Sequence, residues 1–273
     1  MNQDPILAVA VRAARRAGSV IIDAARDLKR LPSHAKGHDA IAKSADAEAQ
    51  QAILATLRAA FPAHAILGEE SADATAAKAN ADADAAKAYR WIVDAIDGSV
   101  NFAHGFPYYA VSIALTHGDD ITHAVVLDPL RDELFMAITG KGAQCNGAPI
   151  RVSACTALDK ALVGTVIPTP ESPRMLAYLP IFNALVVRCA GVRRAGACAL
   201  DLAHLAAGRL DGFWVMSLKP WDVAAGALLV REAGGRVGDF AGGGEFLRTN
   251  EVIAAAPGIF NPLRESIAAA APR

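Results

Sequence analysis

The 273-residue sequence predicts an α/β (α+β) protein made of two consecutive halves, residues 1–150 and 151–273. Two segments with apolar residues at helical spacing open the chain, and three β-rich runs between 108 and 147 then indicate an antiparallel meander. After about residue 147, strands alternate with helices, which is typical of a second α/β layer. With 53% hydrophobic residues, the chain can bury a sizeable core.

The first helix is predicted from a capping signal followed by helical periodicity. Asp4 and Pro5 supply an N-cap and a first-turn proline, and apolar residues continue at helical spacing to Ala24. The segment 31–46 is predicted to be a loop. A second helix follows this loop and ends at Pro62, because proline cannot continue a helix.

The strands are predicted from short apolar runs that turn residues interrupt. HAILGEE at 64–70 indicates a short strand that enters an acidic turn, and WIV at 91–93 indicates a buried strand. Residues 71–88 are an alanine-rich interruption to which we assign no chemistry. In the second half we expect strands at 161–168, 183–189, 210–216 and 251–257, and helices near 197–207 and 222–234.

Charge, cysteine usage and hydropathy narrow the class of function. A formal net charge of −1 predicts no direct binding to nucleic acid or to an anionic membrane. The four cysteines lack CxxC spacing and are expected to be reduced thiols. No apolar run reaches the ~18 residues of a membrane span, and the N-terminus lacks the pattern of a signal peptide. We therefore expect a soluble cytoplasmic protein.

Acidic residues follow apolar strands at three places: Glu69 with Glu70, Asp94 with Asp97, and Asp222. Each place has an ordinary alternative, namely a solvated loop, a turn or a helix cap. If these carboxylates converge, two of them about 5 Å apart repel by roughly 3 kcal/mol, which calls for protonation or a divalent cation. Oxygen-only ligands favour Mg²⁺, Mn²⁺ or Ca²⁺ over zinc.

Gly98 and Ser99 follow these acids and indicate a phosphate cradle. Gly98 permits a sharp turn, and Ser99 could begin a short helix through residue 104. Backbone N–H groups at a helix start bind phosphate oxygens, so a metal site beside them suggests metal-assisted attack of water on phosphorus. Asp-Gly-Ser is also an ordinary turn tripeptide and is weak evidence by itself.

Three motifs resemble the inositol monophosphatase family: GEES at 68–71, WIVDAIDGSVNFAHGFPYYAVSI at 91–113 and PWDVAAGALLVREAGG at 220–235. The resemblance runs in order along nearly the whole chain. It implies a layered α/β/α/β/α sandwich of the inositol monophosphatase and fructose-1,6-bisphosphatase type. It also implies a homodimeric, often lithium-sensitive phosphomonoesterase that uses two or three Mg²⁺ ions, with Mn²⁺ as an alternative.

The resemblance also implies the metal ligands. Glu69, Asp94 and the backbone carbonyl of Ile96 would hold the first ion, and Asp94, Asp97 and Asp222 would hold the second. The N-terminal half would thus carry most of the ligands, and the C-terminal half would carry Asp222 and the substrate-side residues.

The same resemblance implies roles around the attacking water. Gly98 and Ser99 would present N–H groups to the phosphate, and Glu69, Asp46 and the Ser99 hydroxyl would act on the water. Lys36 matches a loop lysine near the site in relatives. The sequence departs from the family pattern at Ala95 (usually proline), Ser99 (usually threonine) and Lys43 (about where threonine is expected).

The substrate side departs further. The implied substrate contacts are Asp97, Ala197, Cys198 and Val215, but Val215 stands where relatives carry a glutamate that hydrogen-bonds sugar hydroxyls. Ala197 replaces a hydroxyl residue, and Cys198 replaces an alanine. A site lacking that acceptor and that hydroxyl should select inositol less strictly. The predicted substrate is a small phosphorylated polyol or sugar such as inositol monophosphate, with histidinol phosphate, a nucleotide or another sugar phosphate as alternatives.

A function of another class stays open at this point. Some bacterial members of the family act as binding partners in transcription and antitermination, and such a role would proceed through protein contacts because the chain carries so little net charge. Two further acids, Asp201 and Asp211, match family positions and are predicted to be a helix-side hydrogen bonder and a turn residue.

Overall fold

Within the part of the chain that the structure describes, two β-sheets alternate with three layers of helices. The structure is a computed structural model that describes residues 4–30, 37–69, 88–169 and 171–271. The order of layers is helix, sheet, helix, sheet, helix, which confirms the predicted α/β/α/β/α sandwich. The expectations for Lys36, Glu70 and residues 71–87 lie outside the described residues.

The helices are bounded as follows, in chain order: α1 Pro5–Leu28, α2 His38–Ala60, α3 Ser99–Ala103, α4 Met175–Val186, α5 Cys198–Ala206, α6 Pro220–Glu232, α7 Phe246–Thr249 and α8 Pro257–Ala270. One turn of 3₁₀ helix covers Leu158–Lys160. The predicted cap of α1 is confirmed, because a carboxylate oxygen of Asp4 accepts from the N–H groups of Ile6 and Leu7, both at 3.1 Å.

The strands of the first sheet are β1 Ala65–Gly68, β2 Tyr89–Asp97, β3 Ala110–His117, β4 Asp120–Asp128, β5 Glu133–Ile138, β6 Ala143–Cys145 and β7 Ala148–Pro149. They follow one another across the sheet in chain order. β1 and β2 are parallel and the later neighbours are antiparallel, so the predicted meander is confirmed. Both faces are buried: Trp91 and Val93 face α1 and α2, while Ile92 faces α5 and α6.

The second sheet consists of β8 Leu162–Thr165, β9 Gly191–Arg193, β10 Gly212–Met216, β11 Arg236–Gly238 and β12 Glu251–Ala255. Their order is β11-β12-β10-β8-β9, with β10, β8 and β9 parallel and β12 antiparallel to β10. Phe213 packs with α5 and α6 on one face, and Trp214 packs with α4 and α8 on the other. α5 and α6 therefore form the middle layer. The division of the chain into halves at residue 150 stays a prediction.

Two predictions of secondary structure were wrong. Residues 38–46 belong to α2, because Ile41, Ala45 and Ala49 recur every fourth residue and pack against the first sheet and α1. Residues 183–186 end α4 instead of forming a strand, since Ile181 and Leu185 lie on one helical face that is buried beneath the second sheet. In both segments the apolar residues have helical spacing, but the polar residues of the first and the continuous apolar run of the second obscured it.

In the described part of the chain, no helix combines the length and the apolar composition that crossing a membrane requires.

The close contact between α5 and α6 leads to a first prediction. A Cβ at Gly226 would lie 2.4 Å from the Cβ of Leu202, and no side-chain rotation relieves such a clash. Gly226→Ala is expected to lower the free energy of unfolding by about 2–3 kcal/mol, measured by chemical denaturation. Gly18→Ala is the control, because its Cβ would meet a terminal methyl of Leu127 at 2.8 Å and the helix gains up to about 1 kcal/mol. Equal losses in the two variants would contradict the prediction.

Candidate metal centre

Three carboxylates meet where the first sheet touches the middle helical layer. Asp94 and Asp97 come from β2, and Asp222 comes from the first turn of α6. Each offers an oxygen atom, and these oxygens all lie within 4.8 Å of one another. Asp94 is only 4% exposed and Asp97 only 7% exposed. The convergence considered from the sequence is therefore present for these three aspartates.

A β-bulge explains how two acids three residues apart reach the same place. In a regular strand, such residues point to opposite faces of the sheet. Here Asp94 lies opposite Ser112 of β3 and Asp97 lies opposite Ala110, so β2 contains one residue more than its partner. The extra residue returns Asp97 to the face that Asp94 occupies. Ile96 lies inside this bulge, and its side chain is buried.

Asp222 is positioned by the start of α6. Its Oδ2 accepts a hydrogen bond of 2.8 Å from the backbone N–H of Lys219, the residue that precedes the helix. The Ser112 hydroxyl donates to the carbonyl oxygen of Trp221 at 3.3 Å, which holds the first turn of α6 against β3. Asp222 is thus a capping residue and a member of the acidic group at once, so the two interpretations of the sequence are compatible.

Asp97 makes a contact that sequence reasoning missed. Its Oδ2 accepts a 2.7 Å hydrogen bond from the backbone N–H of Ala199, and the N–H of Cys198 also bonds to this carboxylate. The residue at the N-cap of α5 is Ala197, whose side chain cannot cap. Asp97 therefore caps α5 from a distant strand. The sequence contained one signal for this contact: Ala197 stands at an N-cap, where Ser, Thr, Asn or Asp is preferred, so the cap had to come from another residue.

Burial and mutual repulsion dominate the electrostatics. Burial, followed by the charges of Asp97, Asp222, Glu69 and Asp46, raises the pKa of Asp94 well above its usual range. Burial and then Asp222 do the same to the pKa of Asp97, and burial raises the pKa of Asp222 to about 6. The charges of Glu69 and Asp46 also act on Asp94. Among the described residues, however, the group whose oxygen atoms all lie within 4.8 Å of one another consists of the three aspartates.

The turn after Asp97 has the predicted form. Gly98 adopts a φ of +92°, and α3 begins at Ser99, so the expected short helix is confirmed. The carbonyl oxygen of Gly98 accepts from the N–H of Phe102 at 3.0 Å. Ser99 is exposed beside the buried carboxylates. The chain therefore reaches the surface at the start of α3, immediately after the buried Asp97.

Comparison with known proteins decides the family. The family model described as the inositol monophosphatase family matches residues 2–272. This protein belongs to the inositol monophosphatase family.

Individual relatives match this chain along almost its whole length. The Nus factor SuhB of Pseudomonas aeruginosa is 44% identical over 265 residues, which cover 96% of each chain. The solved structure of the extragenic suppressor protein SuhB from Bartonella henselae is 37% identical, with a TM-score of 0.83 over 97% of this chain and 100% of that one. The inositol monophosphatase from Anabaena is 33% identical, with a TM-score of 0.86 over 100% of this chain and 98% of that one.

The substrate-side residues of this inositol monophosphatase family member are mostly enclosed. Val215 is 0% exposed and lies in the apolar cluster of β10 with α5 and α6. Ala197 and Cys198 are also buried, at the start of α5. Their role toward a substrate stays a prediction. The helix-side hydrogen bond predicted for Asp201 is confirmed, since its carboxylate accepts from the hydroxyl of Tyr108. Asp211, which was predicted to be a turn residue, lies in the bend directly before β10 and accepts from the hydroxyl of Ser153.

The raised pKa of Asp222 predicts a dependence on pH. A carboxyl whose pKa rises from 3.8 to about 6 on folding stabilises the metal-free protein at low pH, and this stabilisation is lost as the pH rises through about 6. Asp222→Asn should therefore melt progressively higher than the unmodified protein, in EDTA, as the pH rises from 4 to 7.5. A divalent cation held by this group would need the ionised carboxylate, so the apparent affinity for Mg²⁺ is expected to weaken as the pH falls through about 6.

Thermal melts at several pH values, with EDTA and with Mg²⁺, check both expectations. A difference in melting temperature between the Asp222→Asn variant and the unmodified protein that does not change with pH would contradict the shifted pKa. Asp239→Asn is a matched control, because that buried carboxylate accepts a 2.7 Å bond from the N–H of Gly243 in another loop.

Proposed function

We propose that this protein is a Mg²⁺-dependent phosphomonoesterase that hydrolyses a small phosphorylated polyol or sugar, such as inositol monophosphate. The observation that carries the proposal is the convergence of Asp94, Asp97 and Asp222 within 4.8 Å, directly before the Gly98–Ser99 turn. Membership of the inositol monophosphatase family supports it along the whole chain.

The donor set fits magnesium. The grouped atoms are carboxylate oxygens, which hard divalent cations prefer as ligands. The pKa values of these carboxyl groups are raised because their negative charges are buried and repel one another, and a bound cation would remove that repulsion. Asp94, Asp97 and Asp222 would hold metal, with Glu69 and the carbonyl oxygen of Ile96 completing the set for two or three ions. When bound, Mg²⁺ would polarise the phosphoryl oxygens and lower the pKa of a water molecule.

The other residues of the site would bind phosphate and move a proton. The N–H groups of Gly98 and Ser99 would donate to phosphate oxygens at the start of α3. The Ser99 hydroxyl would orient the attacking water and accept its proton while donating its own proton to the carboxylate of Asp46. The water oxygen would bond to phosphorus as the bond from phosphorus to the ester oxygen breaks. The leaving oxygen would take a proton from a solvent water molecule, and Asp46 would return its proton to solvent.

A panel of substrates tests this proposal. Phosphate release would be measured from myo-inositol 1-phosphate, fructose 1,6-bisphosphate, 3′-phosphoadenosine 5′-phosphate and histidinol phosphate, with and without Mg²⁺. Mg²⁺-dependent turnover that Asp97→Asn abolishes is the expected result. The preferred substrate would show how Val215, Ala197 and Cys198 alter selectivity. Folded protein that binds Mg²⁺ but releases no phosphate from any member of the panel would overturn the proposal.

A second candidate function follows from the relatives. Proteins 44% and 40% identical to this chain, from Pseudomonas aeruginosa and Escherichia coli, are named Nus factor SuhB. By analogy, this protein would contact transcription factors through protein surfaces, consistent with its net charge of −1. Co-purification of such factors from native extract, to the same extent with the Asp97→Asn variant as with the unmodified protein, would favour this role.

We further propose a cytoplasmic homodimer, which light scattering would detect as twice the chain mass of 28.4 kDa.

A further inference from the structure

A partly buried hydrogen bond connects the start of α5 to the segment before β3. The hydroxyl of Tyr108 donates to Oδ1 of Asp201 at 2.5 Å. Asp201 lies in the first turn of α5 and is 1% exposed, and its Oδ2 has no hydrogen-bond partner among the described residues. Among the described residues, the Tyr108 hydroxyl is therefore the side-chain donor that offsets the cost of burying this carboxylate.

The backbone of Tyr108 takes part in the same region. Its carbonyl oxygen accepts from Nδ2 of Asn101 at 2.7 Å, and that nitrogen also donates to the carbonyl oxygen of Ala195 at 2.8 Å. Asn101 belongs to α3, directly after the Gly98 turn, and Ala195 precedes α5. Tyr108 thus contacts α3 through its carbonyl group and α5 through its hydroxyl group.

This arrangement bears on Asp97. The carboxylate of Asp97 is oriented by the first N–H groups of α5, including that of Ala199 at 2.7 Å. The position of those N–H groups depends on where the first turn of α5 lies, and Asp201 ties that turn to Tyr108. Loss of a group that hydrogen-bonds to a metal ligand and orients it typically lowers metal affinity or activity by about 10- to 100-fold.

We propose that Tyr108, acting through Asp201, is a positioning residue that holds the start of α5 where its N–H groups orient Asp97 for metal binding. The inference rests on the proposed metal site. It assigns to the Tyr108 hydroxyl a function beyond packing, although that hydroxyl belongs to neither the carboxylate group nor the phosphate cradle.

The test measures Mg²⁺ binding directly, by isothermal titration calorimetry, beside the Mg²⁺ concentration that half-saturates phosphate release. Tyr108→Phe is expected to weaken Mg²⁺ binding by about 10-fold. Tyr178→Phe is the control, because Tyr178 is a tyrosine whose hydroxyl also has a hydroxyl partner: it lies 3.3 Å from the Thr165 hydroxyl, in the layer beyond the second sheet and away from the carboxylate group. The control should bind Mg²⁺ like the unmodified protein, even if its melting temperature falls.

Variants of Asp201 separate the hydrogen bond from the charge. Asp201→Asn keeps an acceptor for the Tyr108 hydroxyl and should bind Mg²⁺ within about threefold of the unmodified protein, whereas Asp201→Leu should resemble Tyr108→Phe. Unchanged Mg²⁺ affinity in Tyr108→Phe, with only a lower melting temperature, would overturn this inference and leave the proposed function standing. Absence of Mg²⁺ binding by the unmodified protein would overturn both.

Discussion

Replacement of Asp94 by asparagine is expected to abolish Mg²⁺-dependent phosphate release while stabilising the metal-free protein. Activity should fall by at least about 100-fold, since metal ions contribute several kcal/mol to transition-state stabilisation. Without metal, Asp94 is a buried carboxylate that faces Asp97 and Asp222 within 4.8 Å, and its removal relieves their repulsion. The free energy of unfolding in EDTA at pH 8 should rise by about 1–3 kcal/mol.

Chemical denaturation in EDTA and phosphate-release assays measure the two effects. Asp128→Asn serves as the control with the opposite sign. Asp128 is fully buried but accepts from the N–H of Leu130 at 2.9 Å and pairs with the Arg131 guanidinium at 2.7 Å. Its neutralisation should destabilise the protein and leave metal-dependent activity in place. If Asp94→Asn lowered stability as Asp128→Asn does, the account of Asp94 as an uncompensated charge would be wrong.

Gly98→Ala is expected to damage both the fold and the activity. Gly98 has a φ of +92°, which costs a residue with a side chain about 1–2 kcal/mol. Its Cβ would also lie 3.0 Å from the carbonyl oxygen of Tyr108, 3.1 Å from the Cβ of Ala197 and 3.2 Å from the carbonyl oxygen of Gly196. Two of these neighbours are backbone atoms that cannot rotate away. The free energy of unfolding should therefore fall by about 2–4 kcal/mol.

The substitution should also lower phosphate release by at least about 10-fold, because it displaces the turn between Asp97 and Ser99. Gly105→Ala is the matched control: its φ is +68°, yet no atom of the described residues lies within 4 Å of the Cβ position. It should cost about 1 kcal/mol and spare activity. Equal effects of the two substitutions would show that backbone strain alone, and not the crowding around Gly98, determines the outcome.

Local sequence signals predicted those helices and strands whose capping residues, turns or apolar spacing can be recognised within a single segment. Asp4 and Pro5 marked the start of α1, and the meander from β3 to β6 followed from apolar runs and turns. The errors arose where composition hid the period. Polar residues around Lys43 concealed the first turns of α2, and the apolar run at 183–189 imitated a strand although its residues lie at the end of α4 and beyond. Burial against distant elements decided both segments.

The sequence by itself predicted the group of Asp94, Asp97 and Asp222 and the family that the chain resembles, since these three residues stand in two conspicuous motifs, at 91–113 and 220–235. Only the tertiary structure decided how they meet. The bulge that brings Asp97 to the face of Asp94 depends on register with β3. The capping of α5 by Asp97 joins residues about a hundred positions apart. Such features arise from pairing and packing between distant segments, and local periodicity carries no information about them.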